Sequence, residues 1–241
     1  MKKRFIPIAW ALLLSGFGGV SGQVYAADEL SGQFLATGNI STQNALMPSV
    51  NSRFTASFAP KWAVGNLDFR LENYTENSYH AAGNEMVRER KFETQLNYNY
   101  PLTEHLNAIV GILRHENYTF KDNYYWGVAG LAWNGDIFKD TTLSSAVVAE
   151  KRGGGGHLFY DFSGSLEYHF LEQYSVFGAA HIYDNFGEFD LAPTHKREYE
   201  TGVNYYINKR YFAAASYFYH KQIGDPADRF SFLKLKLGVN F

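Results

Sequence analysis

The chain has no cysteine, only six prolines among 241 residues, and a net charge of −2. Without cysteine, disulfide bonds cannot stabilise the protein and thiols cannot take part in its chemistry. A net charge this close to zero gives no reason to expect a nucleic acid as partner. The prolines are scattered, and no Pro/Ser-rich stretch or block of charge marks a linker. The sequence therefore predicts one domain.

Long apolar runs are also missing, except at the N-terminus. A basic start at residues 2–4 precedes an apolar stretch over residues 5–20, which small and polar residues follow. This order predicts a secretory signal peptide at residues 1–26, because Val24 and Ala26 form a small pair that signal peptidase accepts. An N-terminal membrane anchor is the alternative, but the apolar stretch is short for a spanning helix and glycines interrupt it.

The mature chain, residues 27–241, is rich in large rings yet hydrophilic on average. Aromatic residues make up 17% of the sequence, with 18 Tyr and 20 Phe, whereas the mean hydropathy is −0.30. A helical membrane protein needs runs of about 20 apolar residues, but a transmembrane β-barrel needs an apolar residue only at every second position. Composition therefore favours a barrel. A soluble secreted β-barrel or sandwich is the alternative, although it has no use for so many outward aromatic residues.

The C-terminal segment alternates most clearly between apolar and polar residues. Its apolar positions are Leu233, Leu235, Leu237, Val239 and Phe241, and its polar or small ones are Lys234, Lys236, Gly238 and Asn240. Residues two apart share one face of a strand, whereas a helix would scatter the same leucines around its circumference. The segment therefore predicts a strand with one apolar and one polar face.

The same alternation predicts about twelve antiparallel strands in an up-and-down transmembrane barrel. Three further segments alternate strongly, at residues 91–100, 157–170 and 198–207. Weaker segments fill the gaps at 33–38, 52–58, 64–74, 105–118, 123–133, 142–152, 174–185 and 210–222. In 105–118, 123–133 and 210–222 both faces are largely apolar, so the pattern does not indicate which face points outward. An even strand number places both termini on one side, which we expect to be the periplasm.

The connections are expected to alternate between tight periplasmic turns and longer outer loops. The expected turns are 101–104, 171–173 and 208–209, and the expected loops are 39–51, 75–87, 186–196 and 222–228. Four consecutive glycines, Gly153 to Gly156, lack the Gly-Lys-Ser/Thr of a phosphate-binding loop. We interpret them as a flexible outer hairpin.

The last strand, with apolar residues at every second position back from Phe241, resembles the assembly signal of outer-membrane proteins. Length, strand number and the lack of a separate soluble domain resemble the small twelve-stranded monomeric channels, the oligogalacturonate-specific porins and their sialic-acid channel relatives. The resemblance is one of architecture and extends over the mature chain. It implies a monomeric passive channel in the outer membrane of a Gram-negative bacterium.

One feature departs from those channels, whose lumens carry rows of arginines that favour acidic sugars. Acidic candidates for inward positions are Asp68, Glu72, Glu93, Glu150, Asp161, Glu167, Glu198 and Glu200. Basic candidates are Arg70, Lys91, Arg152, Lys234 and Lys236. The balance leans acidic, which puts selectivity for anions in doubt.

Charged side chains inside a barrel must contact water or pair with one another. Each of these two cases implies a different function. If they face water, the protein passes small hydrophilic solutes, and the expected lumen lining is Arg70, Lys91, Glu93, Arg152, Asp161, Glu167, Lys234 and Lys236. If acids and bases pair across the interior, the barrel is closed and has a structural, surface or envelope-assembly role. The expected partners are outer-membrane lipid and lipopolysaccharide, the barrel-assembly machinery and a small polar solute.

A lipid-modifying or proteolytic enzyme is the third alternative. His157, Asp161 and Ser163 share one face of a predicted strand, and His181 is a candidate lumen residue. Because six residues of strand extend about 20 Å, His157 is too far from Ser163 to act as its base. No catalytic residue is expected. The histidines also lack metal-ligand spacing, so neither a metal nor a cofactor is expected.

Overall fold

The structure is a computed structural model. It describes residues 29–41, 49–60, 63–80, 85–152, 158–184, 196–223 and 229–241. The predicted signal peptide, the glycines 153–156 and His157 lie outside the described residues. The division into residues 1–26 and 27–241 stays a prediction.

The described residues form twelve antiparallel strands that close into one barrel. Each strand pairs with its neighbours in sequence, and β1 closes the ring by pairing with β12. The strands are β1 Glu29–Ser41, β2 Ser49–Ala59, β3 Asn66–His80, β4 Glu85–Pro101, β5 Leu106–Asn117, β6 Asp122–Phe138, β7 Thr141–Arg152, β8 Leu158–Leu171, β9 Tyr174–Asp184, β10 Lys196–Tyr206, β11 Tyr211–Gln222 and β12 Arg229–Asn240. The predicted all-β fold is confirmed. Within the described part of the chain, no helix is long and apolar enough to cross a membrane.

Alternation places apolar side chains on the outside of the barrel. In β12, Leu235 and Leu237 are 55% and 65% exposed, whereas Lys236 between them is 8% exposed. Lys236 contacts other inward side chains, so the polar face of β12 lines the lumen of the barrel. The outward leucines are suited to contact with lipid.

Strand pairing shows which face points into the lumen in the three segments with two apolar faces, 105–118, 123–133 and 210–222. Directly opposed residues of paired strands point to the same face. Leu113 of β5 pairs with Trp126 of β6, and both are buried inside the barrel. Phe218 of β11 pairs with Phe232 of β12 and is buried as well.

The expected loops at 39–51 and 75–87 are too long. β1 and β2 continue to Ser41 and from Ser49, and β3 and β4 stay paired up to His80 and Glu85. The strand segment predicted at 123–133 likewise continues to Phe138. Polar residues at strand ends were interpreted as loop, but a polar side chain does not prevent its backbone from continuing to pair with the next strand. The tight turns expected at 101–104, 171–173 and 208–209 are confirmed, and the structure places them at residues 102–105, 172–173 and 207–210.

The two ends of the barrel differ. Glu29, which begins β1, and Asn240, which ends β12, lie at the same end, together with the tight turns. We call this the turn end, and the opposite one the loop end. Phe241 continues the closure at the turn end: its backbone N–H and carbonyl each bond Gly32 at 3.0 Å. Its ring lies outside and stacks on Phe54, with 5.8 Å between ring centroids. Its role as an assembly signal stays a prediction.

Candidate functional site: the barrel lumen

The lumen contains a cavity of about 420 Å³. It extends from Asn39 and Lys196, near the loop end, to the deeper residues Arg70, Glu150 and Asp161. A second cavity of about 40 Å³ lies further towards the turn end. Arg70, Glu150 and Asp161 line both cavities. These three charged side chains therefore lie at the narrowing between them.

Four inward residues on β2, β3 and β4 form a continuous set of ion pairs, which we call the charged wall: Arg53, Arg70, Glu72 and Glu93. Arg53 Nη2 lies 2.6 Å from Glu72 Oε1, and Arg70 Nη2 lies 3.1 Å from Glu93 Oε2. Arg70 Nη1 is also 3.9 Å from Glu72 Oε2. Each guanidinium thus faces a carboxylate of a neighbouring strand, an arrangement that keeps partly buried charges compensated.

Strands β8 to β11 contribute a second group of charges, centred on Glu198. His181 Nδ1 and His220 Nδ1 lie 3.0 and 2.9 Å from the two Glu198 oxygens. The other ring nitrogen of His181 is 2.6 Å from Asp161 Oδ1. The imidazole of His181 is therefore held between two carboxylates.

The structure brings Asp161, His181 and Ser163 together, although sequence spacing had separated the serine from His157. Ser163 of β8 is the register partner of His181 of β9. A serine nucleophile needs a base nitrogen directed at its hydroxyl. Both ring nitrogens of His181 instead contact the carboxylates of Asp161 and Glu198. The arrangement is that of an ion-pair group, and among the described residues no three His, Asp or Glu side chains form a metal-binding cluster.

Glu200 is the centre of a third group. It accepts hydrogen bonds from Lys236, from Lys234 at 3.1 Å and from the Ser216 hydroxyl at 2.6 Å. The Lys234 ammonium also lies 3.6 Å from the centroid of the Phe218 ring. Such a cation over an aromatic face is attracted by the ring.

Much of the lumen side of β5 to β8 is apolar, and we call the apolar side chains there the apolar wall. Its buried cluster consists of Ile109, Leu113, Trp126, Val128, Ala132, Ala146, Val148 and Phe159. Trp126 meets Phe159 edge to face at 5.0 Å between centroids, and Phe159 stacks on Tyr183 at 5.2 Å. Edge-to-face and offset rings at these distances pack favourably. Two carboxylates also project from these strands into the large cavity, Glu150 from β7 and Asp161 from β8.

Short polar side chains fill the lumen near the turn end. Asn99, Asn204 and Ser175 are fully buried, and the Asn204 amide donates to Ser175 Oγ at 3.1 Å. Glu167 lies beside them, 3.4 Å from the Asn204 amide nitrogen. The inward ring of Phe212 occupies the space where a Cβ of position 238 would lie, which requires glycine there.

The structure brings most of the expected lumen residues to the large cavity. Arg70, Lys91, Glu93, Asp161, Lys234 and Lys236 line it. Glu167 points inward but is buried near the turn end, outside the cavity lining. Arg152 ends β7 opposite Trp126, and its side chain is outside the described part.

Several lumen residues were missed from sequence. Arg53 is next to the outward Phe54 in the weakly alternating segment 52–58, and this alternation could have identified it as a lumen residue. His115 and His220 lie in the segments of ambiguous phase, where no local signal decides between lumen and lipid. His115 Nδ1 lies 3.0 Å from Glu93.

Comparison with known proteins gives matches among solved structures only. No protein-family model matches the chain, and no curated protein does so. The NanC porin superposes with a TM-score of 0.55 at 15% identity, over 88% of this chain and 99% of that chain. The chain has the outer-membrane β-barrel fold. The KdgM porin matches with a TM-score of 0.50 at 11% identity, over 88% and 98% of the two chains. LpxR from Salmonella typhimurium matches with a TM-score of 0.55 at 9% identity, over 88% of this chain and 99% of that chain. The expected similarity to small twelve-stranded channels is confirmed for the fold, and at these identities it extends no further.

Proposed function

We propose that the protein is a passive channel for small hydrophilic solutes in the outer membrane of a Gram-negative bacterium. The observation that carries the proposal is the direction of the lumen ion pairs. Arg53–Glu72, Arg70–Glu93 and His181–Glu198 each join neighbouring strands, so they run along the wall. A cavity of about 420 Å³ remains between the walls. Pairing of this kind compensates the charges without filling the interior.

A closed barrel is the competing function, and the lumen near the turn end favours it in part. The small cavity there, about 40 Å³, has room for only a few water molecules, since a cavity needs about 10–15 Å³ to hold one. A larger solute must displace side chains at this level. The inward residues there include Asn97 and Ser144, which are short and can exchange protein partners for water. We therefore propose a narrow channel rather than a wide pore.

The ends of the barrel supply the proposed orientation. The turn end, with both termini of the barrel, faces the periplasm, and the loop end faces the outside. The KdgM porin has also been solved in complex with disordered oligogalacturonate. The lumen described above contains carboxylates and cations in similar number. We therefore propose solutes that carry both polar and charged groups rather than acidic sugars alone, a protein that functions as a monomer, and no catalytic role.

Planar-bilayer recording of the purified protein tests the proposal. The wild type should give discrete conductance steps. Val148 lines the small cavity, whereas its neighbour Val147 is 47% exposed on the outside of the same strand. Val148→Trp should therefore lower the single-channel conductance by at least about fivefold by blocking the narrowing, whereas the matched control Val147→Trp should change it by less than about a fifth.

Two outcomes would contradict the channel. A folded wild-type barrel that gives no conductance steps is a closed barrel. Equal conductance of Val148→Trp and Val147→Trp would mean that current passes outside this lumen. Release of fatty acid or peptide from envelope substrates would instead favour the enzyme alternative.

A further inference from the structure

Three basic residues lie side by side on the outside of the barrel, near the loop end. Arg197 of β10 is the register partner of Lys221 of β11, and Lys221 is the partner of Arg229 of β12. Their sequence neighbours Glu198 and His220 point into the lumen, so alternation directs this row outward. Opposed residues of antiparallel strands have Cα atoms about 5 Å apart. The row therefore presents three cations within about 10 Å.

Like charges placed directly opposite each other destabilise a sheet, and little in the described structure offsets them here. Asp184 Oδ2 lies 3.9 Å from Arg197 Nη2, at one end of the row. Neither Lys221 nor Arg229 forms an ion pair among the residues that the structure describes. Arg197 Nη1 is buried without a hydrogen-bond partner in that same part of the protein. Among the described residues, the row therefore keeps positive charge with which an anion from outside the chain can pair.

The position of the row indicates where that anion comes from. One step closer to the turn end, the outward positions hold Tyr199, Tyr219 and Ser231. On β12 the exposed leucines begin at Leu233, next along the same face. Tyrosines prefer the interface between hydrocarbon and headgroups. The cations therefore lie just above that interface, at the level of lipid headgroups, where each Lys or Arg attracts anionic lipid.

We propose that Arg197, Lys221 and Arg229 bind the phosphate groups of a phosphorylated glycolipid in the outer leaflet. The row is the exterior counterpart of the lumen ion groups, except that the anion is supplied by the membrane. Arginines hold phosphate oxygens with paired N–H donors, and the central lysine adds a point charge. The site is separate from the lumen and does not depend on conduction.

Lipid binding by the full-length mature barrel in maltoside micelles tests the proposal. The probes are lipid A with two phosphates and the same acylated disaccharide with both phosphates removed. Native mass spectrometry gives the apparent Kd of each. The wild type should bind the phosphorylated form at least about tenfold more tightly. The triple variant Arg197→Gln, Lys221→Gln, Arg229→Gln should lose that preference.

The matched control is Arg210→Gln, which removes one exposed cation from the turn end. It should keep the preference for phosphate within about twofold, since Arg210 lies on the other side of the membrane. Folding of each variant is checked by its heat-dependent shift on a denaturing gel. If the triple variant does not fold, Lys221→Gln alone should weaken binding of the phosphorylated form by about threefold, because one of three cations is lost.

Three results would overturn the proposal. The first is equal affinity of the wild type for the two glycolipids, as expected if Asp225 and Asp228, which lie outside the described residues, neutralise the row. The second is an unchanged preference in a folded triple or Lys221 variant. The third is displacement of lipid A by inorganic phosphate well beyond that by sodium chloride of the same ionic strength, which would make the ligand a free anion.

Discussion

The two lumen walls of this barrel stabilise their inward side chains in opposite ways. The charged wall on β2 to β4 places Arg53, Arg70, Glu72 and Glu93 inside and compensates them by ion pairs. The apolar wall on β5 to β8 places Trp126 and other apolar side chains inside and packs them together. Both walls have apolar residues facing outward. An inward side chain in a membrane barrel therefore does not have to be polar. It needs only suitable partners, which are ion pairs on one wall and packing contacts on the other.

The difference between the walls predicts different responses to solvent. Packing of apolar groups depends little on salt, whereas partly hydrated ion pairs are screened by it. The strength of the apolar wall should come from contact area and shape, and that of the charged wall from pairing. Three substitutions test this contrast, from the largest expected effect to the smallest.

Truncation of Trp126 should give the largest loss of stability. Its ring lies 5.7 and 5.0 Å from the rings of Tyr124 and Phe159, and it is 9% exposed. Trp126→Ala removes these ring contacts and leaves space that joins the large cavity, so the free energy of unfolding should fall by about 3 kcal/mol. Urea unfolding in detergent micelles, at low and at high salt, measures the loss.

Trp133 is the control for that substitution, because it lies on the outside of the same strand. Detergent or lipid fills the space that its ring leaves, and Trp133→Ala should cost less than half as much. Losses of equal size, or a strong salt dependence of the Trp126→Ala loss, would contradict the description of a packed apolar wall.

Removal of one cation from the charged wall should cost less. Arg70→Met leaves the carboxylates of Glu72 and Glu93 without the guanidinium between them. We expect a loss of about 2 kcal/mol, between the values for exposed and fully buried ion pairs. The loss should shrink at about 1 M salt, where the screening length is about 3 Å. The same urea titrations measure it.

A double variant controls for the role of charge. Adding Glu93→Gln to Arg70→Met removes the carboxylate left behind, and it should restore part of the stability. If the double variant loses the sum of both single effects, the two side chains do not interact and the charged wall is not a coupled unit.

The smallest predicted effect concerns ion selectivity. Glu150 lines both cavities and forms no ion pair among the described residues. Glu150→Gln should lower the ratio of cation to anion permeability of the conducting protein by about twofold in alkaline buffer, where the carboxyl group is ionised, because it removes a carboxylate at the narrowing. The reversal potential in a potassium chloride gradient measures this ratio.

Glu116 provides the matched control for selectivity. It points outward on β5 and pairs with Arg114 at 2.7 Å. Glu116→Gln makes the same change of charge outside the lumen, and the reversal potential should stay as in the wild type. An equal shift in both variants would show that overall charge, not the narrowing, sets selectivity.

Much of the fold could be predicted from residues close together in the sequence. The alternation in β12, β8, β4 and β10 is a local property, and it located these strands and their lumen faces. Strand ends were harder to predict: the β3–β4 hairpin was cut short because Thr75 and Arg90 are polar. Polar residues can continue a ladder beyond the lipid, where water solvates their side chains.

The candidate site was predicted in part. Arg70, Glu93 and Lys236 were chosen because a charged residue inside an alternating strand has to avoid lipid. Leu113 and Trp126 could not be chosen, because an apolar residue is equally suited to lipid and to a packed wall. The pairing of Ser163 with His181 was missed, because it depends on the register between β8 and β9 and not on spacing within one strand.

The sequence by itself determined that this chain forms a twelve-stranded barrel, because alternation with period two is written in each strand separately. Only the tertiary structure decided that the lumen has a charged and an apolar wall, that its ion pairs run along the wall, and that three cations meet on the outside. The reason is that each of these features depends on register between strands. Register is a relation between distant segments, and closure of the barrel is what fixes it.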